Sequence, residues 1–596
     1  MKTALRTHTC GELRASRAGE RVTLSGWVHR RRDHGHLTFI DLRDRYGITQ
    51  IVTSAELGAE AHEAAAEVRS EWVVRVEGTV RHRPEGTVNV ELPTGEIEVA
   101  VDRLEVLNES RLPPFYINEE QPGLDETLRL RYRYLDLRRP DMQQRMLMRS
   151  RLTGAVRRCL EEMGFADIET PILIRSTPEG ARDMVVPSRL QQGKFFALPQ
   201  SPQQLKQILM VAGYDRYYQL AHCVRDEDTR ADRGPEFTQI DLEMSFVHRD
   251  DVLDAVERMV TSVTGEVLPK RPILESPFPR LTYREAMDRY GSDKPDVRFG
   301  MELVDLTETV RGLDFRVFAE PIAAGGAVKG IRAEGIGGYS RSQIDELTRA
   351  ARTFGAAGLV SLAVEADGSL RGAAARFFDD AARSALLAGT GGQPGDLLLI
   401  VADADSEVAA EALGKLRLEV GDRLGLRRPD VLAYVWITDF PMFKWDAENA
   451  RWDATHNPFS APAWEEEALL DSDPESVRAQ QYDIALNGWE LGGGSIRIHR
   501  RDLLEKAFRL MGHSVEGMRD QFGALLDALE YGAPPHGGIA IGVDRWAALL
   551  AAQENIREVM AFPKTQSGSD LMLGAPSPLA AEQLAELGLA LVDPDA

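Results

Sequence analysis

Two β-rich stretches, 217–225 and 236–246, enclose a polar loop at 226–234. Strand-forming runs on either side of a charged, turn-rich loop make a long antiparallel hairpin, which commits this part of the chain to a sheet. Arg225 stands at the end of the first run and Phe237 near the start of the second.

A second β signature lies near the N-terminus. Apolar and polar residues alternate in short runs at 22–29, 37–41, 48–52, 72–80 and 97–101. With one helical segment at 55–69, these runs predict a small closed barrel of the OB type. The stretch 111–127, with Leu-Pro-Pro and Gln-Pro-Gly, reads as a linker. Helical periodicity follows over 141–163 (Met146, Leu147, Leu152, Val156, Leu160) and stops at Gly164. From 294 to 425 the chain becomes richer in Ala and Gly, which marks an inserted domain. Strand-like 431–437, Gly-rich 491–498 and a strand running into a helix at 540–550 complete the pattern, and no repeat is present. At 596 residues several cores are required.

Composition narrows the function classes. A formal charge of −23 argues against sequence-blind coating of nucleic acid, so any nucleic acid must meet local basic patches such as 29–32, His-Arg-Arg-Arg. Such a run is by itself more often a solvated face. No stretch approaches the ~20 apolar residues of a membrane span, and no secretory apolar core opens the chain, so a cytoplasmic, non-membrane protein is expected. The three cysteines, Cys10, Cys159 and Cys223, form no metal-ligand spacing, so neither a disulfide framework nor a zinc site is expected.

Six separated segments carry the functional signal: Arg-Tyr-Arg-Tyr-Leu-Asp-Leu-Arg-Arg-Pro at 131–140, Thr-Pro-Glu-Gly-Ala-Arg-Asp at 177–183, Leu-Pro-Gln-Ser-Pro-Gln at 198–203, Val-Arg-Asp-Glu-Asp at 224–228, Asn-Gly-Trp-Glu-Leu-Gly-Gly-Gly-Ser-Ile-Arg at 487–497 and Gly-Val-Asp-Arg at 542–545. In this order they are similar to the bacterial-type aspartyl-tRNA synthetases, a class II synthetase family, over essentially the whole chain. The resemblance implies an OB-fold anticodon-binding domain (1–108), a hinge (109–140), a class II α/β catalytic domain on an antiparallel sheet (141–293 and 426–596) and an α/β insertion (294–425). It further implies ATP and Mg²⁺, L-aspartate and tRNA as ligands, and a homodimer formed through 131–170.

Site residues follow by position. Arg225 is implied as the grip on the α-phosphate and the attacking carboxylate, which suits a planar guanidinium, although alone it could pair with Asp226 or Glu227. Phe237 supplies an aromatic face for adenine, and Arg545 is a second catalytic cation on ATP, beside Gly542, Val543 and Asp544. Asp226 and Glu227 complete the implied ATP contacts, and Asp483 and Glu490 are the implied Mg²⁺ ligands. Distinguishing aspartate from asparagine needs fixed cations, a role implied for Arg497 and Lys206 with Gln203, Asp241 and His456 around them and Glu179 on the substrate ammonium. No general base is required for activation, because the substrate carboxylate is already ionised.

On the barrel, Arg32, Phe39 and Gln50 fall where the family reads anticodon bases, with Phe39 as plain core the rival reading. His34 and Gly86 resemble the pair in relatives that charge both aspartate and asparagine tRNA and rely on an amidotransferase, while His36 and Arg83 could restore discrimination. Gly234 and Asn457 depart from the family, which usually carries glutamine and histidine there. Asparagine- or lysine-specific synthetases, the related amide ligase and a non-catalytic paralogue fit less well. The Glu179, Gln203, Lys206 and Arg497 set, the barrel and the intact arginines and acids favour aspartate activation.

Overall fold

The runs between 21 and 108 become five strands: β1 (Arg21–Asp33), β2 (Thr38–Asp44), β3 (Gly47–Thr53), β4 (Val73–His82) and β5 (Ile97–Asn108), with helix α1 (Ala55–Glu67) between β3 and β4. In the computed structural model they close into a barrel in the order β1-β2-β3-β5-β4. Strict alternation along β1 sends Val22, Leu24 and Val28 inward. A bulge between Val28 and Arg30 then shifts the register, so that Arg32 stands opposite Phe39 of β2 at the rim. Ser54 caps α1 by accepting from the Leu57 N–H, and Ala61 and Ala65 pack into the barrel core.

The structure describes residues 2–119, 121–177 and 180–592. Contacts divide the chain into two units, Met1–Gln144 with Asp570–Ala575 and Arg145–Ser569 with Pro576–Ala596. The barrel belongs to the first. Helix α2 (Pro140–Glu162) opens with Pro at its first position and ends before Gly164, whose φ of +81° a glycine adopts without strain. Met148, Leu152, Val156 and Cys159 of α2 form a helical stripe in the larger unit's core.

That core lies around an eight-stranded sheet. Its members are β6 (Ala166–Asp167), β7 (Arg216–Val224), β8 (Glu236–Ser245), β9 (Arg280–Thr282), and, after a long excursion, the four strands described below. Helix α3 (Gln203–Val211) precedes β7, and α4 (Arg249–Val267) follows β8 with one apolar face buried. β7 and β8 are the two arms of the hairpin, paired from Glu236–Val224 to Met244–Arg216.

The excursion carries its own five-stranded sheet: β10 (Val304–Asp305), β11 (Ala327–Ala333), β12 (Val360–Val364), β13 (Leu370–Arg371) and β14 (Leu397–Asp403), ordered β10-β11-β14-β12-β13. On β14, Leu397, Leu399 and Val401 enter one hydrophobic cluster while Leu398 and Ile400 enter another. An unbroken apolar run is what a strand covered on both faces requires. Helix α5 (Ser406–Arg423) covers the first of these faces with Ala409, Leu413 and Leu416.

The chain then returns through β15 (Tyr434–Thr438), β16 (Gln481–Leu486), β17 (Trp489–Ile496) and β18 (His536–Gly542), the last running straight into helix α6 (Val543–Leu550). The large sheet is ordered β9-β15-β16-β17-β18-β8-β7-β6. Neighbours are antiparallel from β15 to β7, and only the edge strands β9 and β6 pair in parallel. No helix among the described residues is long and apolar enough to cross a membrane.

Candidate active site

On β8, Asp241 and Glu243 are two residues apart and therefore share a face. Both side chains are fully buried, which isolated carboxylates cannot tolerate. Lys206, from α3, brings its Nζ to 3.0 Å from Asp241 Oδ1 and 3.5 Å from Glu243 Oε2. Arg497, immediately after β17, donates from Nε to Glu243 Oε1 at 2.9 Å and from Nη2 to Oε2 at 3.2 Å. Its Nη1 donates to Ser495 Oγ and its Nη2 also to the Gly538 carbonyl. Two cations thus face two carboxylates, and the group is neutral.

The groups are not equivalent. Burial pushes the Asp241 carboxyl up, and Lys206 only partly opposes this. Burial also acts on Glu243, but Arg497 and Lys206 together hold it below its usual value. Glu243 is the tighter partner. The space it occupies exists because position 538 has no side chain: a Cβ there would stand 2.2 Å from Glu243 Oε2 and 2.1 Å from the Leu242 carbonyl oxygen.

Beside this group opens a cavity of about 300 Å³, lined by Gln203, Lys206, Arg225, Glu227, Phe237, His456, Asp483, Glu490, Arg497, Gly542, Asp544 and Arg545 among others. Gln203 Nε2, Asp241 Oδ2 and Arg225 Nε are buried without a hydrogen-bond partner. Each costs about 1–3 kcal/mol unless a ligand satisfies it. The Arg225 guanidinium lies over the Phe237 ring at 5.0 Å from its centroid. Arg545 donates to the carbonyls of Asp232 and Glu490 at 3.1 and 2.9 Å. His456 packs edge-on against Phe440, and burial pushes its imidazole below its usual value, so it is neutral at pH 7.

Asp483 stands opposite Gly493 across β16 and β17, where a Cβ would come within 2.5 Å of Asp483 Oδ1. Burial, and then the charge of Glu490, push the Asp483 carboxyl well above the ordinary range. Two hard oxygen donors that destabilise each other fit a Mg²⁺ ion, which relieves both and keeps part of its water shell. Among the described residues no group of three or more His, Cys, Asp or Glu is placed to hold a metal. A two-carboxylate site leaves coordination positions for water and phosphate, which suits an ion that arrives with a nucleotide.

Several expected contacts fall elsewhere. Val543 is fully buried in the hydrophobic core and does not line the cavity, because the side chain at the first position of α6 points inward. Asp226 is also absent from the lining, its nearest cation being Arg182 at 3.9 Å. Asp544 reaches the cavity wall but is buried and engaged, accepting from the Thr238 N–H at 2.8 Å and pairing with Arg149. Its role is to tie α6 to β8. Glu179 lies outside the described residues. At Gly234 a Cβ would meet only ordinary contacts, at 3.6 Å or more, and Asn457 accepts from the Phe459 N–H at 2.9 Å. Sequence reasoning missed Glu243. Its signal was a second acid two positions from Asp241 within an apolar strand.

The barrel unit carries a separate polar network. Arg32 holds Asp41 in a two-pronged contact at 2.8 and 2.9 Å and reaches Gln50 Oε1 at 3.1 Å. Gln50 Nε2 donates to Glu98 Oε2 at 2.8 Å, and Arg81 Nε to Glu98 Oε1 at 2.9 Å. Glu98 was also unforeseen, although a charged residue between Ile97 and Val99 was the available sign. Phe39 is half-buried at the rim and outside the barrel core, with His34 edge-on at 5.6 Å. Gly86 has a φ of +80° with open space around it. The result is an aromatic face beside a rigid set of donors and acceptors, the composition of a single-strand binding platform.

Comparison with known proteins gives a family for each of the two regions. The family described as tRNA synthetases class II (D, K and N) matches residues 125–566, and the OB-fold nucleic acid binding domain family matches 22–107. The chain is 58% identical to the aspartate–tRNA(Asp/Asn) ligase of Moorella thermoacetica, covering 98% of this chain and 96% of that one. It is 53% identical to the aspartate–tRNA ligase of Geobacillus kaustophilus, covering 99% of each. Among solved structures, asparaginyl-tRNA synthetase from Pyrococcus horikoshii, complexed with asparaginyl-adenylate, has the same fold, with a TM-score of 0.59, 20% identity and 94% and 98% coverage.

The buried charge set predicts the outcome of Glu243→Gln. Removing one carboxylate leaves Lys206 and Arg497 with Asp241 as their only acid, at a cost of about 3–5 kcal/mol. Urea unfolding followed by tryptophan fluorescence measures it. A loss below about 1 kcal/mol would mean that Ser495 and the Gly538 carbonyl suffice to hold Arg497.

Proposed function

This chain belongs to the class II tRNA synthetases for aspartate, lysine and asparagine, among the aspartate–tRNA ligases, and from that premise we propose that it activates L-aspartate with ATP and transfers it to tRNA. The observation that carries this reading is the buried Lys206 and Arg497 pair, with unpaired atoms of Gln203 and Asp241 beside it and Arg225 in the same cavity. A second carboxylate on the substrate meets two fixed cations. Both cations only donate, so a carboxylate can accept from them while the NH2 of an amide would set donors against donors, and the site discriminates against asparagine. Asp241, accepting from Lys206 Nζ at 3.0 Å, orients that cation, and Glu179 is assigned to the substrate ammonium by its place in the sequence.

In the first step the aspartate α-carboxylate oxygen attacks the α-phosphorus of ATP. The new O–P bond forms as the bond to the β-phosphate oxygen breaks, giving aspartyl-adenylate and pyrophosphate. Arg225 turns from Phe237 to hold the attacking oxygen and the α-phosphate together, leaving the ring face to adenine, and Arg545 holds the far phosphates. A Mg²⁺ ion held by Asp483 and Glu490 would shield the triphosphate charge. In the second step a terminal hydroxyl of tRNA attacks the adenylate carbonyl and AMP leaves.

The barrel reads the anticodon, with Phe39 stacking a base and Arg32, Gln50 and Glu98 presenting fixed hydrogen-bond groups. His34 and Gly86 leave the rim without a long charged side chain at either position. The enzyme therefore charges both aspartate and asparagine tRNA, and an amidotransferase completes the asparaginyl product. It works in the cytoplasm as a homodimer. Tyr134 and Leu147 are exposed within 131–170, the segment that the resemblance implies for the dimer contact.

Three outcomes test this. Arg225→Ala lowers aspartate-dependent ATP–pyrophosphate exchange by roughly a thousandfold, whereas Arg497→Leu chiefly raises KM for aspartate; unchanged exchange in both removes the assignment. Purified asparagine tRNA is aspartylated with a kcat/KM within about a hundredfold, ~2.7 kcal/mol, of that for aspartate tRNA, and a larger gap marks a strict enzyme. Light scattering gives a dimeric mass for the wild type, and a monomer at micromolar concentration excludes the dimer.

A further inference from the structure

The polar face of the barrel continues past Arg32, Phe39 and Gln50. Along β2, Phe39, Asp41 and Arg43 alternate outward while Ile40 and Leu42 enter the core. Arg43, the third of this row, is buried. Its Nη2 donates to Glu71 Oε2 at 2.8 Å, and its Nη1 lies 2.8 Å from His29 Nδ1. A guanidinium only donates, so His29 Nδ1 accepts and the imidazole is neutral, with its proton on Nε2.

Glu71 stands just before β4. Its φ of +66° lies in the left-handed region, which a residue with a side chain keeps only when its surroundings fix it. Its N–H donates to the Val28 carbonyl at 2.8 Å, beside the bulge of β1, and its side chain is buried. The same Oε2 serves a second arginine. Arg138, from the stretch between the barrel and α2, donates to it from Nη1 at 3.1 Å. The Arg138 guanidinium also lies 5.1 Å from the centroid of the Trp27 ring of β1. Asn118, from the same stretch, donates from Nδ2 to the His29 carbonyl at 3.1 Å. All these residues belong to the smaller unit. One buried carboxylate oxygen thus ties the outer row of β2, with Phe39 at its far end, to the segment by which the chain leaves the barrel. Neither the activation chemistry nor the base contacts described above use Glu71, Arg43 or Arg138.

Resting on the reading of the barrel as the anticodon platform, we propose that Glu71 is a positioning residue for tRNA: through Arg43 and Arg138 it fixes the platform on the segment that connects it to α2. A tRNA places its anticodon on the barrel and its 3′ end in the cavity at once. How tightly the second contact follows the first depends on how well the connection between them is preset, and a loose connection must be ordered at the expense of binding. An anticodon hairpin alone touches one end and does not sense the connection.

The test uses the full chain and two RNA probes, full-length aspartate tRNA and a synthetic hairpin carrying only its anticodon stem and loop. Glu71→Gln and Arg138→Gln each raise KM for tRNA in aspartylation about tenfold while kcat stays within about threefold. Both leave aspartate-dependent pyrophosphate exchange, the Kd of the hairpin and the mass in light scattering at their wild-type values. Arg138→Gln is the milder change, since Arg43 still pairs with Glu71, and it decides the matter if Glu71→Gln does not fold. Hairpin binding weakened as much as tRNA charging overturns the proposal, because the contact then shapes the platform itself. Pyrophosphate exchange that falls together with tRNA charging overturns it too, the loss then being one of general stability. So does an unchanged KM for tRNA in Arg138→Gln. No binding of the hairpin by the wild type removes the anticodon reading of the barrel and this proposal with it, and leaves aspartate activation to be judged by pyrophosphate exchange.

Discussion

Lys206, Asp241, Glu243 and Arg497 are charged groups removed from water, and each survives only because the others are within reach. They come from a helix, two neighbouring residues of one strand face and the exit of another strand, so the sheet must hold these elements to within a fraction of an ångström. Gly538 shows how far the surrounding backbone is adapted to them: its missing Cβ is the volume that Glu243 fills. The set leaves Asp241 Oδ2 unpaired, with the Gln203 amide nitrogen unpaired nearby, and its cations only donate, so the selectivity of the cavity follows from which substrate groups can accept.

At the other end of the cavity the design is looser. Arg225 stacks on Phe237, and Arg545 is held by backbone carbonyls and the edge of Glu490, contacts that a nucleotide can replace at modest cost. The charge of Glu490 adds to the burial of Asp483, and the hydrogen bond from Gln481 only partly offsets them. Rigid recognition of the amino acid and exchangeable contacts for the nucleotide divide the site into a part that selects and a part that reacts. The barrel repeats the rigid solution with a different chemistry, where the chain from Arg32 through Gln50 to Glu98 and Arg81 fixes hydrogen-bonding groups beside an aromatic face.

Much of the architecture was legible. The alternation in 22–101 predicted the barrel strands, and β5 runs on to Asn108, beyond the expected stop at 101, because its second half pairs with β4 without needing a buried face. The hairpin arms, the helix from 141 and the strand into α6 were equally plain. The position of the β1 bulge was not, nor was the strand order of the inserted sheet, in which β12 pairs with β14 and lies apart from β11. Both depend on which distant strand offers its edge.

By itself, the sequence determined the periodic elements, the family resemblance and the identity of the cations and acids that gather around the cavity, since period and motif order are local properties of the chain. Tertiary structure alone decided what each polar group does. Asp544 and Asp241 are both buried acids, yet one is consumed by a backbone N–H and Arg149 while the other keeps an unpaired oxygen beside its contact with Lys206. Val543 and Arg545 are two residues apart, yet one enters the core and the other the site. Glu243 and Glu98 acquire their roles only through partners distant in sequence. The reason is physical: the state of a buried polar atom is set by which donors, acceptors and charges replace the water it has lost, and those arrive from elsewhere in the chain.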